Sequence, residues 1–99
     1  MSEPEVTITH EGDGGRGEYT AHVEGVNATG ELTWRAQGEG VRIATHTGVP
    51  RELRGQGIAG RLVDALIADA REKGFKIVPA CSYVAKQFDE HPEWSDLRA

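Results

Sequence analysis

Cysteine is nearly absent from this chain of 99 residues: Cys81 is the only one, and a single thiol excludes an intramolecular disulfide framework. Long apolar runs are also absent, so no stretch has the length of a membrane span. Residues 1–5 lack the basic and apolar segments of a secretion signal. We therefore expect a cytoplasmic protein that contacts no membrane.

Positive charge is scarce as well. The chain has 11 Lys and Arg against 16 Asp and Glu, a net charge of −5, which argues against a nucleic-acid-binding protein. Basic residues therefore carry information only where they cluster. Ninety-nine residues are enough for one hydrophobic core but not for two, so residues 1–99 are expected to form a single domain. The sequence carries no signal for an oligomeric state.

The first half of the chain has the periodicity of β-strands separated by glycine-rich turns. The longest turn is expected over residues 11–17, and the third strand is expected to bury Leu32 and Trp34. His10 and His22 lie in strands, have no evident partners and are expected to be structural. Short connections favour an antiparallel meander. The predicted strands cover residues 6–10, 18–24, 28–37 and 41–49, with regular alternation through the last.

After Gly57 the pattern changes to that of an amphipathic helix that ends before Gly74, with Asp69 away from the apolar stripe. Residues 75–79 predict a buried strand that runs parallel to the fourth through a right-handed crossover. Residues 82–89 predict a short helix, followed by a helical turn that begins at Pro92. The order β-β-β-β-α-β-α indicates an α+β fold with a mixed sheet. The expected stripe consists of Ile58, Leu62, Val63, Leu66, Ile67 and Ala70.

The most informative segment is the basic, glycine-rich turn that joins the fourth strand to this helix. Gly55 and Gly57 leave backbone N–H groups unobstructed at the positive end of the helix dipole. Arg51, Arg54 and Arg61 surround the turn. This arrangement predicts a site for a ligand that carries phosphate.

Two signatures overlap on these residues. Gly55-x-Gly57-x-x-Gly60 matches the dinucleotide-binding fingerprint, which requires an acidic residue about 20 positions later to hold a ribose. The strand at that place ends Val78-Pro79-Ala80-Cys81 and offers no carboxylate. The antiparallel meander upstream and the short chain also argue against a dinucleotide fold.

The alternative parse, Arg54-x-x-Gly57-x-Ala59, resembles the [Arg/Gln]-x-x-Gly-x-[Gly/Ala] signature of GCN5-related N-acetyltransferases, whose loop binds the pyrophosphate of acetyl-CoA. Three further segments look like the small single-domain, GCN5-like (NATD1-type) subgroup of that family. They are His46-Thr47-x-Val49-Pro50, Val78-Pro79-x-Cys81-x-x-Val84 and His91-Pro92-Glu93-Trp94. The resemblance implies a minimal version of the family fold, in which strands four and five splay apart at the CoA site.

The same resemblance implies where acetyl-CoA would bind. Backbone N–H groups from Arg54 to Ala59, through Gly55, Gln56, Gly57 and Ile58, would hold the pyrophosphate, and Arg51 lies beside them. The pantetheine arm would pair with backbone near Thr47 and Val49. Lys86 is a candidate to contact a CoA phosphate. The spacing of the histidines matches no metal-ligand pattern, so no metal is expected.

Two residues are candidates for the chemistry. Cys81 precedes the last predicted helix, where the dipole would lower the pKa of its thiol, and it is either a nucleophile or a small side chain that lines the slot. His46 is either the general base for the incoming amine or a solvent-facing strand residue. Family members usually transfer the acetyl group directly.

The chain also departs from the larger family. Only residues 11–17 stand where full-length members carry helices that build the acceptor pocket, so an open site suited to a protein or peptide amine is expected. The tyrosine that often protonates the leaving thiolate is replaced by Phe88 and Asp89, with Tyr83 nearby but out of register. The expected function is an acetyl-CoA-dependent N-acetyltransferase that acts on an amine. The alternative is a CoA-binding module without catalysis.

Overall fold

A five-stranded sheet in the order β1-β2-β3-β4-β5 forms one layer of the protein in the computed structural model, which describes residues 5–99. The first four strands are antiparallel, and β5 runs parallel to β4. The predicted meander and crossover are confirmed. The strands are β1 (Val6–Gly12), β2 (Arg16–Val23), β3 (Thr29–Ala36), β4 (Val41–Gly48) and β5 (Lys76–Pro79).

The second layer contains helices α1 (Ile58–Lys73) and α2 (Ser82–Glu90) and two 3-10 segments, Arg51–Leu53 and Pro92–Leu97. All six residues of the predicted apolar stripe of α1 are buried. They share one core with Leu32 and Trp34 from the sheet and with buried residues of α2. One face of the sheet is therefore covered by helices, and the chain from residue 5 to residue 99 leaves the other face without a helix. None of the helices in this described part is long and apolar enough to cross a bilayer.

The β1–β2 hairpin is longer than predicted, because the two strands extend into residues 11–17 from both sides. The carboxylate of Asp13 accepts two backbone N–H bonds inside the shortened turn, at 2.7 and 3.0 Å. Gly12 and Gly17 lie in the strands under the indole of Trp34, and a Cβ on Gly17 would lie 2.5 Å from Cζ2 of that ring. The role of these two glycines is therefore to leave space for the Trp34 ring, and they do not form a turn.

The regular alternation expected in β4 is wrong at a β-bulge. Thr33 of β3 pairs with His46, but the next residue, Trp34, pairs with Ala44, so Thr45 is an extra residue in β4. The hydroxyl of Thr45 lies 2.8 Å from that of Thr33, on the uncovered face. A bulge inserts one unpaired residue and bends its strand, so Thr45 and His46 both face the uncovered side.

The predicted splay between β4 and β5 begins at the level of this bulge. Parallel pairing ends at Ala44 and Pro79, whereas β4 continues to Gly48. The last four residues of β4 consequently have a neighbouring strand on the β3 side only. A gap opens between this half of β4 and the start of α2.

Polar and aromatic side chains form a cluster at the opposite end of the sheet, which we call the closed end: His10, Tyr19, Trp34, Arg42 and Asp69. The indole N–H of Trp34 donates to Nε2 of His10 at 2.9 Å, and the Tyr19 hydroxyl donates to Asp69 at 2.6 Å. The His10 and Tyr19 rings stack with centroids 4.3 Å apart, and the Arg42 guanidinium lies 3.9 Å above the Trp34 ring. The expectation that His10 lacks partners is therefore wrong. Asp69 lies away from the apolar stripe, as expected, and still accepts a bond from Tyr19.

Candidate functional site

The glycine turn adopts a backbone that only glycine takes readily. After the 3-10 helix Arg51–Leu53, whose Leu53 is buried, Gly55 and Gly57 have φ values of +81° and +72°. These values lie in the left-handed region, where other L-residues are strained. A Cβ built on either glycine would meet no atom within 4 Å. The turn is thus shaped by backbone conformation, with open space in front of it.

The start of α1 supplies unpaired N–H donors to that space. Gly57 is the N-cap and offers no side-chain cap, and the N–H of Arg61 donates to the Gly57 carbonyl at 3.1 Å. The N–H groups of Ile58, Ala59 and Gly60 precede the intrahelical ladder. The first turn of α1 contains no acidic residue that would compete for these donors. Its geometry suits an anion.

A cavity of about 170 Å³ lies against this helix start. Arg54, in its wall, donates from Nε to the carbonyl of Val49 at 3.3 Å. Six of the ten residues predicted to contact the cofactor line this one cavity. The complete lining is Val49, Leu53, Arg54, Gly55, Gly57, Ile58, Ala59, Gly60 and Tyr83.

The other four predicted contacts lie outside the wall of the cavity. Arg51 is exposed on the 3-10 helix, and Lys86 is exposed on α2. Gln56 is exposed, and its side-chain amide donates to the Glu52 carbonyl at 3.4 Å. Thr47 lies beside Cys81 in the gap between β4 and α2.

Three lining residues were not predicted as binding residues, Leu53, Gly60 and Tyr83, and Tyr83 is the one that brings a polar side chain. It lies in the first turn of α2, and its hydroxyl is 3.8 Å from the position a Cβ would take on Gly60. Burial, together with the carboxylates of Glu90 and Asp64, raises the pKa of Tyr83. The hydroxyl therefore stays protonated and can donate into the cavity. The feature of the sequence that could have identified Tyr83 is its position as the second residue of the helix that follows β5.

Cys81 closes the other side of the gap. Its N–H donates to the carbonyl of Ala44 at 2.9 Å, and its thiol donates to Oγ1 of Thr47 at 3.4 Å. Burial alone would raise the pKa of the Cys81 thiol, but the hydrogen bond with Thr47 and the N–H groups of Val84 and Tyr83 lower it below the ordinary value. This is the direction expected for a thiol at the start of a helix.

His46 and Cys81 are separated by β4. Thr47, which contacts Cys81, pairs with the buried Leu32 and so lies on the covered face, whereas His46 pairs with Thr33 on the uncovered face. The imidazole of His46 folds over Gly48, where a Cβ would lie 3.1 Å from Nε2. The gap thus has a thiol on the helix side and an exposed imidazole on the other. Within residues 5–99 no three His, Cys, Asp or Glu side chains are grouped to hold a metal.

Comparison with known proteins shows the family and the fold of the chain. The family model described as GCN5-related N-acetyl-transferase matches residues 18–97. The fold is similar to an NMR structure from Staphylococcus aureus, of a protein assigned only provisionally as a GCN5-like N-acetyltransferase, with a TM-score of 0.70 and 28% identity. That match covers 100% of this chain and 91% of the other. Because the family match extends over most of the sequence, the chain belongs to the GCN5-related N-acetyltransferase family.

Proposed function

We propose that the protein is an acetyl-CoA-dependent N-acetyltransferase that acts on the amine of a protein or peptide. The observation that carries the proposal is the cavity at the start of α1, where left-handed glycines and unpaired N–H groups adjoin the gap between β4 and α2. Family membership supports acetyl transfer as the reaction class. Acetyl-CoA fits both the cavity and the gap. Its pyrophosphate needs N–H donors like those at the start of α1, and its pantetheine arm needs an extended groove like the gap between β4 and α2.

The donor would be held in two segments. The pyrophosphate sits at the N–H groups of Ile58, Ala59 and Gly60, with Arg54 in the cavity wall and Tyr83 as an additional donor. Arg51 and Lys86 are exposed cations outside the cavity wall. They would contact phosphate groups of CoA that lie outside the cavity. The pantetheine arm would pair with the free edge of β4 at Thr47 and with the backbone of Val49 just beyond the strand, as an added strand would.

We propose direct transfer to the amine. The amine nitrogen gives a proton to His46 and attacks the thioester carbon, so that a C–N bond forms as the C–S bond breaks. The CoA sulfur leaves as a thiolate and takes a proton from solvent. His46 faces the uncovered side of the sheet, from which an acceptor can arrive, and this favours it as the base. Cys81 then lines the thioester slot with Thr47. In the covalent alternative, Cys81 would carry the acetyl group first.

Isothermal titration with CoA tests the donor site. We expect Gly57→Glu to abolish CoA binding, because the new side chain places bulk and negative charge in front of the N–H donors. Gly25→Glu is the matched control: Gly25 has φ of +81°, no atom within 4 Å of its Cβ position, and lies in a different turn. It bears the same backbone strain and charge, and we expect it to bind CoA normally.

The result that overturns the pyrophosphate assignment is normal CoA binding by Gly57→Glu. Mass spectrometry after incubation with acetyl-CoA separates the chemical routes, since a stable acetyl group on Cys81, lost in Cys81→Ala, would support the covalent one. A protein that binds CoA but transfers acetyl to no peptide amine would be a CoA-binding module.

A further inference from the structure

The uncovered face of the sheet carries a row of side chains that leads to His46. Strand pairing places Glu11 of β1 opposite Glu18 of β2, Glu18 opposite Thr33 of β3, and Thr33 opposite His46 of β4. Residues paired in this way point to the same face. The row crosses four strands at the level where β4 and β5 splay apart. It therefore connects the far edge of the sheet with the gap.

Two carboxylates face each other at the far end of this row. Like charges directly opposite on neighbouring strands destabilise a sheet. None of the ion pairs formed within residues 5–99 involves Glu11, Glu18 or the nearby Glu31. A cavity of about 660 Å³ opens beside the pair. Its wall contains the carboxylates of Glu11, Glu18 and Asp13 and one cation, Arg16, besides Thr33 and two glycines. The negative charge is thus retained on a surface with space above it.

Charge on both sides of the row limits where a cationic ligand would lie. Glu31 borders the row near its His46 end, and its Cγ lies 3.7 Å from the Cβ position of Gly48, over which the His46 ring also folds. On the hairpin side, the next row carries Arg16 opposite Arg35. A positively charged ligand is attracted to the row of carboxylates and repelled by the neighbouring row of arginines.

We infer that this face binds a basic peptide segment whose lysine amine reaches His46. The inference depends on the proposed function, since it names the acceptor of that same site. Strands lie about 4.8 Å apart, so Glu18 and Glu11 are roughly 10 and 14 Å from the His46 position along the row. An extended peptide covers about 3.4 Å per residue. A cationic residue three or four positions from the acceptor lysine therefore lies over the two carboxylates.

The test uses two synthetic peptides with blocked termini and one lysine each. One peptide has arginine at the third and fourth positions on both sides of the lysine, and the other has glutamine at those positions. We expect the wild-type protein to acetylate the arginine peptide with the higher kcat/KM. In the double variant Glu11→Gln, Glu18→Gln this preference should fall about fivefold to tenfold, through KM, as expected for two exposed charge pairs.

The matched control is Glu24→Gln, Glu39→Gln, which removes the same charge from exposed turns outside the row. We expect it to keep the full preference. Binding of the two labelled peptides to the CoA-saturated protein, measured by fluorescence anisotropy, gives a second readout that needs no turnover. Tighter binding of the arginine peptide that depends on Glu11 and Glu18 supports the surface even if turnover is slow.

Two results would overturn the inference while CoA binding and acetyl transfer stand: equal use of both peptides by the wild-type protein, or a preference that the double variant keeps. A third is a preference for spermine over the arginine peptide with the same dependence on Glu11 and Glu18, which would assign the row to polyamines. Failure of the proposed function is recognised separately, by the absence of heat on titration with CoA.

Discussion

The polar groups at the two ends of helix α1 differ: those at one end are hydrogen-bonded within the protein, and those at the other end face a cavity. Near the C-terminal end of α1, in the closed end of the sheet, Tyr19 donates to Asp69 and Trp34 donates to His10, so these four side chains satisfy one another. At its N-terminal end, which we call the open end, the N–H groups of Ile58 to Gly60 and the hydroxyl of Tyr83 face a cavity.

This difference separates stability from binding. Removing a group from the closed end leaves a buried partner unpaired or a ring badly packed, which lowers the free energy of unfolding. Removing a group from the open end leaves the folded protein nearly unchanged and weakens a ligand contact. Each of the following predictions tests whether the two properties can be changed independently.

The largest effect is expected at the closed end, from Gly17→Ala. The new methyl group would lie 2.5 Å from the Trp34 ring, so the indole must move and lose its contacts with His10 and Arg42. We expect the free energy of unfolding to fall by about 2 kcal/mol, as for overpacking of a core, with CoA affinity unchanged. Urea denaturation and CoA titration measure the two quantities.

Gly14→Ala is the control for Gly17→Ala, because a Cβ on Gly14 meets nothing within 4 Å. It should change the free energy of unfolding by about 0.5 kcal/mol or less. Equal stabilities of the two variants would show that Trp34 does not depend on the glycines beneath it.

The two tyrosines, Tyr19 buried at the closed end and Tyr83 partly buried at the open end, give the sharpest form of the comparison. We expect Tyr83→Phe to weaken CoA binding about fivefold, the loss of one hydrogen bond of about 1 kcal/mol, without destabilising the fold. Tyr19→Phe removes the same atom at the closed end and leaves Asp69 without its 2.6 Å donor. It should lower the free energy of unfolding by about 1–2 kcal/mol and leave CoA affinity intact.

Calorimetric titration with CoA and denaturation of both tyrosine variants test this prediction. Each substitution should change only one of the two quantities, the CoA affinity or the free energy of unfolding. A loss of CoA affinity in Tyr19→Phe as large as that in Tyr83→Phe would mean that the two ends are coupled through α1. The comparison would then fail, and the open end could not be treated as a separate binding region.

The sequence was most informative where burial follows a local period. The apolar stripe of α1 repeats with the turn of a helix, so its six core residues were predictable one by one. The glycine turn was equally predictable, because Gly55 and Gly57 lie just before a helix, where glycines indicate a turn. The parallel return of β5 followed from the crossover rule.

The sequence was least informative where the reason for a residue lies elsewhere in the chain. Gly12 and Gly17 were interpreted as turn residues because nothing beside them shows that Trp34 will cover them. The bulge at Thr45 was missed because no apolar side chain lies between Ala44 and Val49 that would mark a change of face. Arg42 lies between two aromatic rings and has a buried nitrogen without a hydrogen-bond partner among residues 5–99, a placement that no local pattern signals.

Acidification should destabilise the closed end selectively. Nε2 of His10 accepts the Trp34 N–H, and an imidazolium has no acceptor. Burial lowers the pKa of His10 below 6.5; Asp69 acts against this shift, and Arg42 and Lys73 add to it. The unfolded chain therefore takes up the proton first, so the stabilisation is complete above pH 6.5 and is lost as the pH falls below it.

The measurement is the free energy of unfolding as a function of pH for the wild-type protein and for His10→Gln, whose amide oxygen can still accept the bond. The two proteins differ only at residue 10, so the difference between the curves isolates His10. We expect the wild-type curve to fall more steeply below pH 6.5. Parallel curves would contradict the assignment of a neutral His10 to the folded state.

The smallest effect is expected at the open end, where a polar contact tunes reactivity without adding much stability. The hydrogen bond with Thr47 helps to lower the pKa of the half-buried Cys81 thiol, against the opposing effect of burial. Thr47→Val keeps the shape and removes the bond, so the pKa of the thiol should rise. The rate of alkylation by iodoacetamide, followed against pH, should shift to higher pH with little change in the free energy of unfolding.

Thr33→Val is the matched control for Thr47→Val. It removes a hydroxyl that lies 2.8 Å from Thr45 on the uncovered face and makes no bond with Cys81. Its alkylation profile should match that of the wild-type protein. If Thr47→Val leaves the profile as unchanged as Thr33→Val does, the lowered pKa of Cys81 comes from the N–H groups at the start of α2 alone. Thr47 would then be part of the slot by shape only, since a hydroxyl that leaves the thiol unchanged contributes nothing to its charge.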